Sequence, residues 1–128
     1  MIEIHPTKNL QPFSLKVPSS KSYSNRALII AALAKGTSTL KNVLLSDDTL
    51  ITIHALKNLG IPIKQKGKNL LIQGCEGAFK KPKKALHLGN SGTAVRFLTA
   101  VLAINGIPSI ITGDKRMQSR PIQDLVDA

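Results

Sequence analysis

Three short stretches carry the residues best suited to chemistry. In Pro18-Ser19-Ser20-Lys21-Ser22-Tyr23-Ser24-Asn25-Arg26, a lysine, a serine and an arginine stand close together. On a helix beginning at Ser22, positions 22 and 26 lie one turn apart on one face, with Lys21 just ahead. Hydroxyl, guanidinium and ammonium can then converge on one anion, and the unpaired N–H groups of the first turn point the same way. An arginine so near a helix start opposes the helix dipole at a cost of a few tenths to about 1 kcal/mol, which a bound anion would reverse. The competing reading is that Ser22 only caps and Arg26 only pairs with an acidic side chain.

The second stretch, Gly89-Asn90-Ser91-Gly92-Thr93, has the small residues that let a ligand approach the backbone, and Arg96 follows one turn later. It is neither a P-loop nor a dinucleotide fingerprint, and a Gly-x-x-Gly turn taken alone is more often just a turn. In the third, Arg116 and Arg120 are four apart in a loop bounded by Gly113 and Pro121. They read either as surface arginines or as a clamp for carboxylate or phosphate. His5, His54 and His87 lack any ligand spacing, so no metal site is expected. Asp47 and Asp48 read first as helix caps and second as carboxylates facing a ligand cleft. Ser91 has no complete Gly-x-Ser-x-Gly context, since Thr93 stands where the second glycine would be, so no nucleophile is expected there.

These loops need elements to hold them. Residues 13–17 alternate like a strand, and the serines after Pro18 break it. Ala27 to Ala34 is an apolar helical run that should be largely buried, with Ser22 or a neighbouring serine as N-cap and Gly36 as the stop. Thr37 to Val43 leans to strand. A second helix is expected from the Ser46-Asp47-Asp48 cap to about Leu59, and Gly60 ends it. Ile61–Lys66 and Asn69–Gln73 form a hairpin at Gly67-Lys68. Leu86-His87-Leu88 leads through the glycine loop into an aliphatic helix ending near Gly106. Ser109–Thr112 is a strand, and Pro121 sits at the first position of a last helix. Alternating strands and helices imply an α/β or α+β fold. At an offset of 70 positions, Arg26-Ala-Leu28 and Arg96-Phe-Leu98 each open an apolar helix that Gly36 and Gly106 close, which suggests a duplicated unit.

Composition limits the partners. The 128 residues carry 18 Lys+Arg against 7 Asp+Glu, a formal charge of +11, with three Phe, one Tyr and no Trp. That suits one modest domain with an aliphatic core. A basic chain can serve nucleic acid, a membrane surface or a small anion. The near absence of aromatics argues against single-strand stacking, and Lys80-Lys81-Pro82-Lys83-Lys84 reads as a solvated loop. No apolar run approaches a membrane span, and no signal pattern opens the chain. The single Cys75 fits a reducing, cytoplasmic setting. The four arginines, with their planar forks, are the better anion ligands.

Taken together, the motifs Pro18 to Leu28, Leu88 to Arg96 and Gly113 to Ala128 closely resemble the N-terminal motifs of the 5-enolpyruvylshikimate-3-phosphate (EPSP) synthase family of enolpyruvyl transferases. The Lys-Ser-x-Ser-Asn-Arg form favours this family over the UDP-N-acetylglucosamine enzymes, which are the runner-up. The resemblance implies an inside-out α/β barrel built from repeated β-α-β-α-β-β units around buried parallel helices. Residues 1–18 would pack with the other domain, and 19–128 would be about one and a half units of an incomplete substrate-binding domain.

The implied reaction transfers the enolpyruvyl group of phosphoenolpyruvate to the 5-hydroxyl of shikimate 3-phosphate, releasing phosphate, on the route to chorismate and aromatic amino acids. It needs no cofactor. By motif position, Lys21, Ser22 and Arg26 would hold shikimate 3-phosphate, with Lys21 also touching phosphoenolpyruvate. Gly92 and Arg120 would contact phosphoenolpyruvate, and Asn90, Thr93 and Arg96 would support that loop. Ser91 and Phe97 depart from the residues common in the family. Family members are much longer, so the proton-transfer groups are expected outside this chain, which would be an inactive fragment. The family is usually monomeric, and such a fragment would associate through exposed apolar surface. Outside catalysis, the open alternatives are a non-catalytic anion-binding module and a basic nucleic-acid binder.

Overall fold

The computed structural model describes residues 2, 3, 5, 12, 14, 15 and 17–128. In chain order the elements are α1 (Lys21–Leu33), β1 (Thr37–Leu40), α2 (Asp47–Asn58), β2 (Ile63–Lys66), β3 (Asn69–Gln73), β4 (Leu86–His87), α3 (Gly92–Ile104), β5 (Ile111–Thr112), α4 (Lys115–Gln118) and α5 (Gln123–Val126). The expected strand over 13–17 falls partly outside the described residues, and 14, 15 and 17 belong to no strand.

α1 begins two residues earlier than a Ser22 cap would place it. Ser20 is the N-cap, extended at φ −79° and ψ 131°, and its side chain accepts from the Tyr23 N–H. Ser22 therefore sits in the first turn. Leu28, Ile29, Ala31 and Ala32 turn inward, but Tyr23 and Ile30 remain 75% and 66% exposed, so this helix is covered on one side only. After Ala34 the chain leaves the helix, and Gly36 turns it at φ +77°, a conformation that only glycine adopts freely.

α2 matches its expected span. Ser46 is the cap in a capping box whose other partner is Thr49, with the Ser46 N–H donating to Thr49 Oγ1 at 2.8 Å. Asp47 and Asp48 are thus first-turn residues, where negative charge complements the helix dipole, rather than caps. The hairpin of β2 and β3 also forms as expected, with Lys66 opposite Asn69 across Gly67-Lys68. β3 lies between β1 and β2 in an antiparallel sheet and buries Leu70 and Ile72.

β4 and β5 pair in parallel, with α3 as the crossover between them. Only Ile111 and Thr112 of the expected 109–112 strand pair, because β4 offers two residues. The loop from Gly113 to Arg120 contains an unforeseen turn of helix, α4, capped by Asp114, whose carboxylate accepts from the Met117 N–H at 2.8 Å. Pro121 is not the first residue of the last helix; α5 starts at Gln123, with Ile122 as its cap.

The three long helices pack against one another, and α1 also packs on β1 and β3. Leu28, Leu56, Leu59, Leu70, Ile72, Leu86, Leu88 and Leu98 form a fully buried aliphatic centre. The sequence repeat is visible in part. α1 and α3 are both 13 residues long, and each is followed by a glycine at positive φ and a strand. Among the described residues, the strand that should precede the helix appears only in the second copy.

Candidate active-site cleft

The first turns of α1, α2 and α3 open onto one cleft of about 1110 Å³, lined by Lys21 and Arg26 from α1, by Ser46, Asp47, Asp48 and Ile51 from α2, and by Asn90, Gly92, Thr93, Arg96 and Phe97 at α3; Arg120 closes it from the third stretch. Three helix N-termini facing one space give it a positive field in addition to its side chains. Four cations face it against two carboxylates. Among the described residues none of the four arginines forms an ion pair. The pairing reading of Arg26 therefore fails, while for Lys21 it holds: Lys21 Nζ donates to Asp48 Oδ2 at 2.7 Å.

Packing between distant loops brings the second and third stretches together. The Asp114 N–H donates to the Gly89 carbonyl at 3.1 Å, and a Cβ on Gly113 would collide with that same carbonyl. Buried Met117 and the Gln118 amide, which donates to the Gly113 carbonyl at 2.9 Å, hold α4 in place. Arg120 leaves α4 toward Gly92. A Cβ built on Gly92 would lie 2.7 Å from Arg120 Nη1, so glycine here gives the guanidinium its room. Arg96 Nη2 donates to the Pro121 carbonyl at 3.1 Å and ties the chain after Arg120 to α3. A second cavity of about 430 Å³ adjoins the cleft and shares Gly92, Arg96 and Arg120 with it.

Of the residues singled out in the sequence, Lys21, Arg26, Asn90, Gly92, Thr93, Arg96 and Arg120 line the cleft together. Ser22 is exposed on the first turn of α1 and does not line it; neither does Arg116, exposed on α4. Asp48 carries more than its sequence position suggested. Its carboxyl is held below the ordinary aspartate range chiefly by the hydrogen bond from Lys21, with burial opposing and Ser91, the Lys21 charge and Arg120 assisting. Ser91 is fully buried beside that carboxylate, but no well-formed hydrogen bond joins them. Of the two readings for Asp47 and Asp48, the structure supports the second: Ser46 is the cap, and both carboxylates line the cleft. Among the described residues no three His, Cys, Asp or Glu side chains are placed to hold a metal ion. No helix there is long and apolar enough to cross a membrane.

A family model described as EPSP synthase (3-phosphoshikimate 1-carboxyvinyltransferase) matches residues 5–128. The chain belongs to the EPSP synthase family. It is 49% identical over 124 residues to the 3-phosphoshikimate 1-carboxyvinyltransferase of Paraburkholderia phytofirmans, a match covering 93% of this chain and 29% of that protein. The corresponding protein of Burkholderia multivorans is 48% identical, with the same coverage. The solved EPSP synthase of Acinetobacter baumannii superposes with a TM-score of 0.83 at 33% identity, over 88% of this chain and 26% of that one. The fold is thus the enolpyruvyl transferase α/β fold, and the chain spans under a third of the length of these relatives.

Proposed function

We propose that this chain supplies the phosphate-binding wall of a 3-phosphoshikimate 1-carboxyvinyltransferase. The observation that carries this reading is the cleft itself: Lys21, Arg26, Arg96 and Arg120 face one space at three helix N-termini, with no arginine neutralised by an acidic partner among the described residues. Unpaired arginines held together repel one another, and an anion bridging them turns that repulsion into binding. Shikimate 3-phosphate and phosphoenolpyruvate together bring two phosphates and two carboxylates. Relatives named 3-phosphoshikimate 1-carboxyvinyltransferase support this acceptor over a UDP-sugar.

In this reading Arg26 and Lys21 hold shikimate 3-phosphate, while Ser22, exposed on the same first turn, lies outside the cleft lining. Arg120, beside Gly92, holds phosphoenolpyruvate. Asn90, Thr93 and Arg96 keep the glycine loop and the Arg120 loop in register. The 5-hydroxyl oxygen bonds to the enol carbon of phosphoenolpyruvate while the methylene carbon takes a proton, giving a tetrahedral intermediate. Loss of phosphate and of one methyl proton restores the double bond. Fixed cations around the phosphate stabilise charge as it develops on the leaving group. The acids and bases for both proton steps come from the part of the relatives that this chain does not span. Residues 1–18 associate with that second domain, and 19–128 form part of the substrate-binding one. Phosphate release from the two substrates by this chain alone should be absent; turnover at ordinary enzymic rates, about 1 per second or more, would overturn the division of labour.

A further inference from the structure

The Lys21–Asp48 pair raises a question that the anion-binding reading leaves open. A carboxylate in a cleft built for anions repels its ligand, so electrostatics alone would favour its removal. Asp48 is nevertheless fixed there on all sides. Its backbone lies in the first turn of α2 under the Ser46–Thr49 capping box, and its carbonyl accepts from Thr52 Oγ1 at 3.0 Å. Thr52 Oγ1 also bonds the buried Asn25 Oδ1 of α1 at 3.0 Å, which ties the two helices together beneath the carboxylate. Buried Ser91 stands against the same carboxylate from α3. Lys21, by contrast, is a long side chain half exposed at the first residue of α1.

We propose that Asp48 is a positioning residue: it holds the Lys21 ammonium aimed into the cleft, so that two of its three N–H donors remain free for the substrate phosphate. A free lysine side chain carries large rotamer entropy, most of which must be lost when it grips a ligand. Anchoring one donor on a carboxylate fixed to α2 removes that loss before the ligand arrives. The net charge cost is offset by Arg26, Arg96 and Arg120, which keep the cleft positive. The other charged group facing the pair is Asp47, from α2.

The inference rests on the proposed shikimate 3-phosphate site, and its test turns on a sign. The full 128-residue chain is titrated with shikimate 3-phosphate and with inorganic phosphate at low salt, as wild type, Asp48→Asn, Lys21→Ala and the double variant. If Asp48 positions Lys21, Asp48→Asn weakens shikimate 3-phosphate binding about five- to tenfold, despite removing a negative charge. In the Lys21→Ala background the same change instead tightens binding about two- to fivefold, because only repulsion is left to remove. Asp48→Glu, which keeps the charge, restores part of the affinity. A general loss of structure would weaken binding in both backgrounds, and thermal unfolding of each variant reads it separately. Tighter binding by Asp48→Asn in the wild-type background, or weakening of equal size in both backgrounds, overturns the positioning role alone. Failure of the unaltered chain to bind either anion overturns the proposed function with it.

Discussion

Gly92→Ala tests the contact between the glycine loop and Arg120. Gly92 is the first residue of α3, and its φ lies outside the left-handed region, so alanine fits the backbone. What it does not fit is the neighbour: the new methyl would lie 2.7 Å from Arg120 Nη1, well inside van der Waals contact. The backbone is fixed by α3 and by the Gly89–Asp114 hydrogen bond, so the flexible guanidinium must move. A displacement of about 1 Å spoils a charge-assisted hydrogen bond worth about 1.5–3 kcal/mol, which corresponds to roughly 10- to 150-fold in phosphoenolpyruvate affinity. Replacing glycine by alanine within a helix adds up to about 1 kcal/mol of stability. Ligand affinity should therefore fall while the melting temperature holds or rises. A phosphorus NMR titration with phosphoenolpyruvate, in the presence of shikimate 3-phosphate, reads the first; calorimetric unfolding reads the second. Unchanged affinity, or a loss of affinity matched by a loss of stability, would refute the argument that Gly92 exists to leave room for Arg120.

Other consequences can be checked in the same preparations. Arg120→Ala should weaken phosphoenolpyruvate binding at least about tenfold, while Arg116→Ala, outside the cleft, leaves it unchanged within twofold; equal effects would contradict the separation of the two arginines. The folded pKa of Asp48 is depressed, so its contribution to stability is complete above the unfolded value of about 3.9 and is lost as pH falls through the lower folded value. The stability difference between wild type and Asp48→Asn should be present near pH 6 and vanish in acid; a difference that grows as pH falls would contradict the ion pair. Thr49→Val removes the buried hydroxyl that accepts from the Ser46 N–H at 2.8 Å and should cost about 1–3 kcal/mol in denaturant unfolding. Leu98→Ala, in the fully buried centre, should cost about 2–5 kcal/mol in the same measurement.

Local signals were readable in the sequence and long-range ones were not. Gly60 ending α2, and Gly67-Lys68 joining β2 to β3, follow from backbone demands that sit in one or two residues. Which serine caps α1 is not legible in the sequence, because Ser19, Ser20, Ser22 and Ser24 can each cap; in the structure Ser20 does. α4 leaves no signature in the sequence, because four residues are too few to show a helical period. Spacing alone does not separate Arg116 from Arg120, and only the resemblance singles out Arg120; the single turn of α4 puts Arg120 at the cleft and leaves Arg116 exposed outside it. The Lys21–Asp48 bond joins residues 27 positions apart, and no local pattern encodes it. Of the motif residues, Lys21, Arg26, Asn90, Gly92, Thr93, Arg96 and Arg120 line one cleft and Ser22 does not, while Ser46, Asp47, Asp48 and Ile51 join it from outside the motifs through the meeting of the α1, α2 and α3 first turns.

The central claim is that this chain carries an arginine-based phosphate site of its own. Titration of the 128-residue chain with shikimate 3-phosphate, as wild type and as Arg26→Ala across a salt series, tests it most directly. The account predicts saturable binding that weakens with salt and falls about 10- to 100-fold on loss of Arg26, the range of a charge-assisted contact. Binding of equal strength in the two proteins would contradict it.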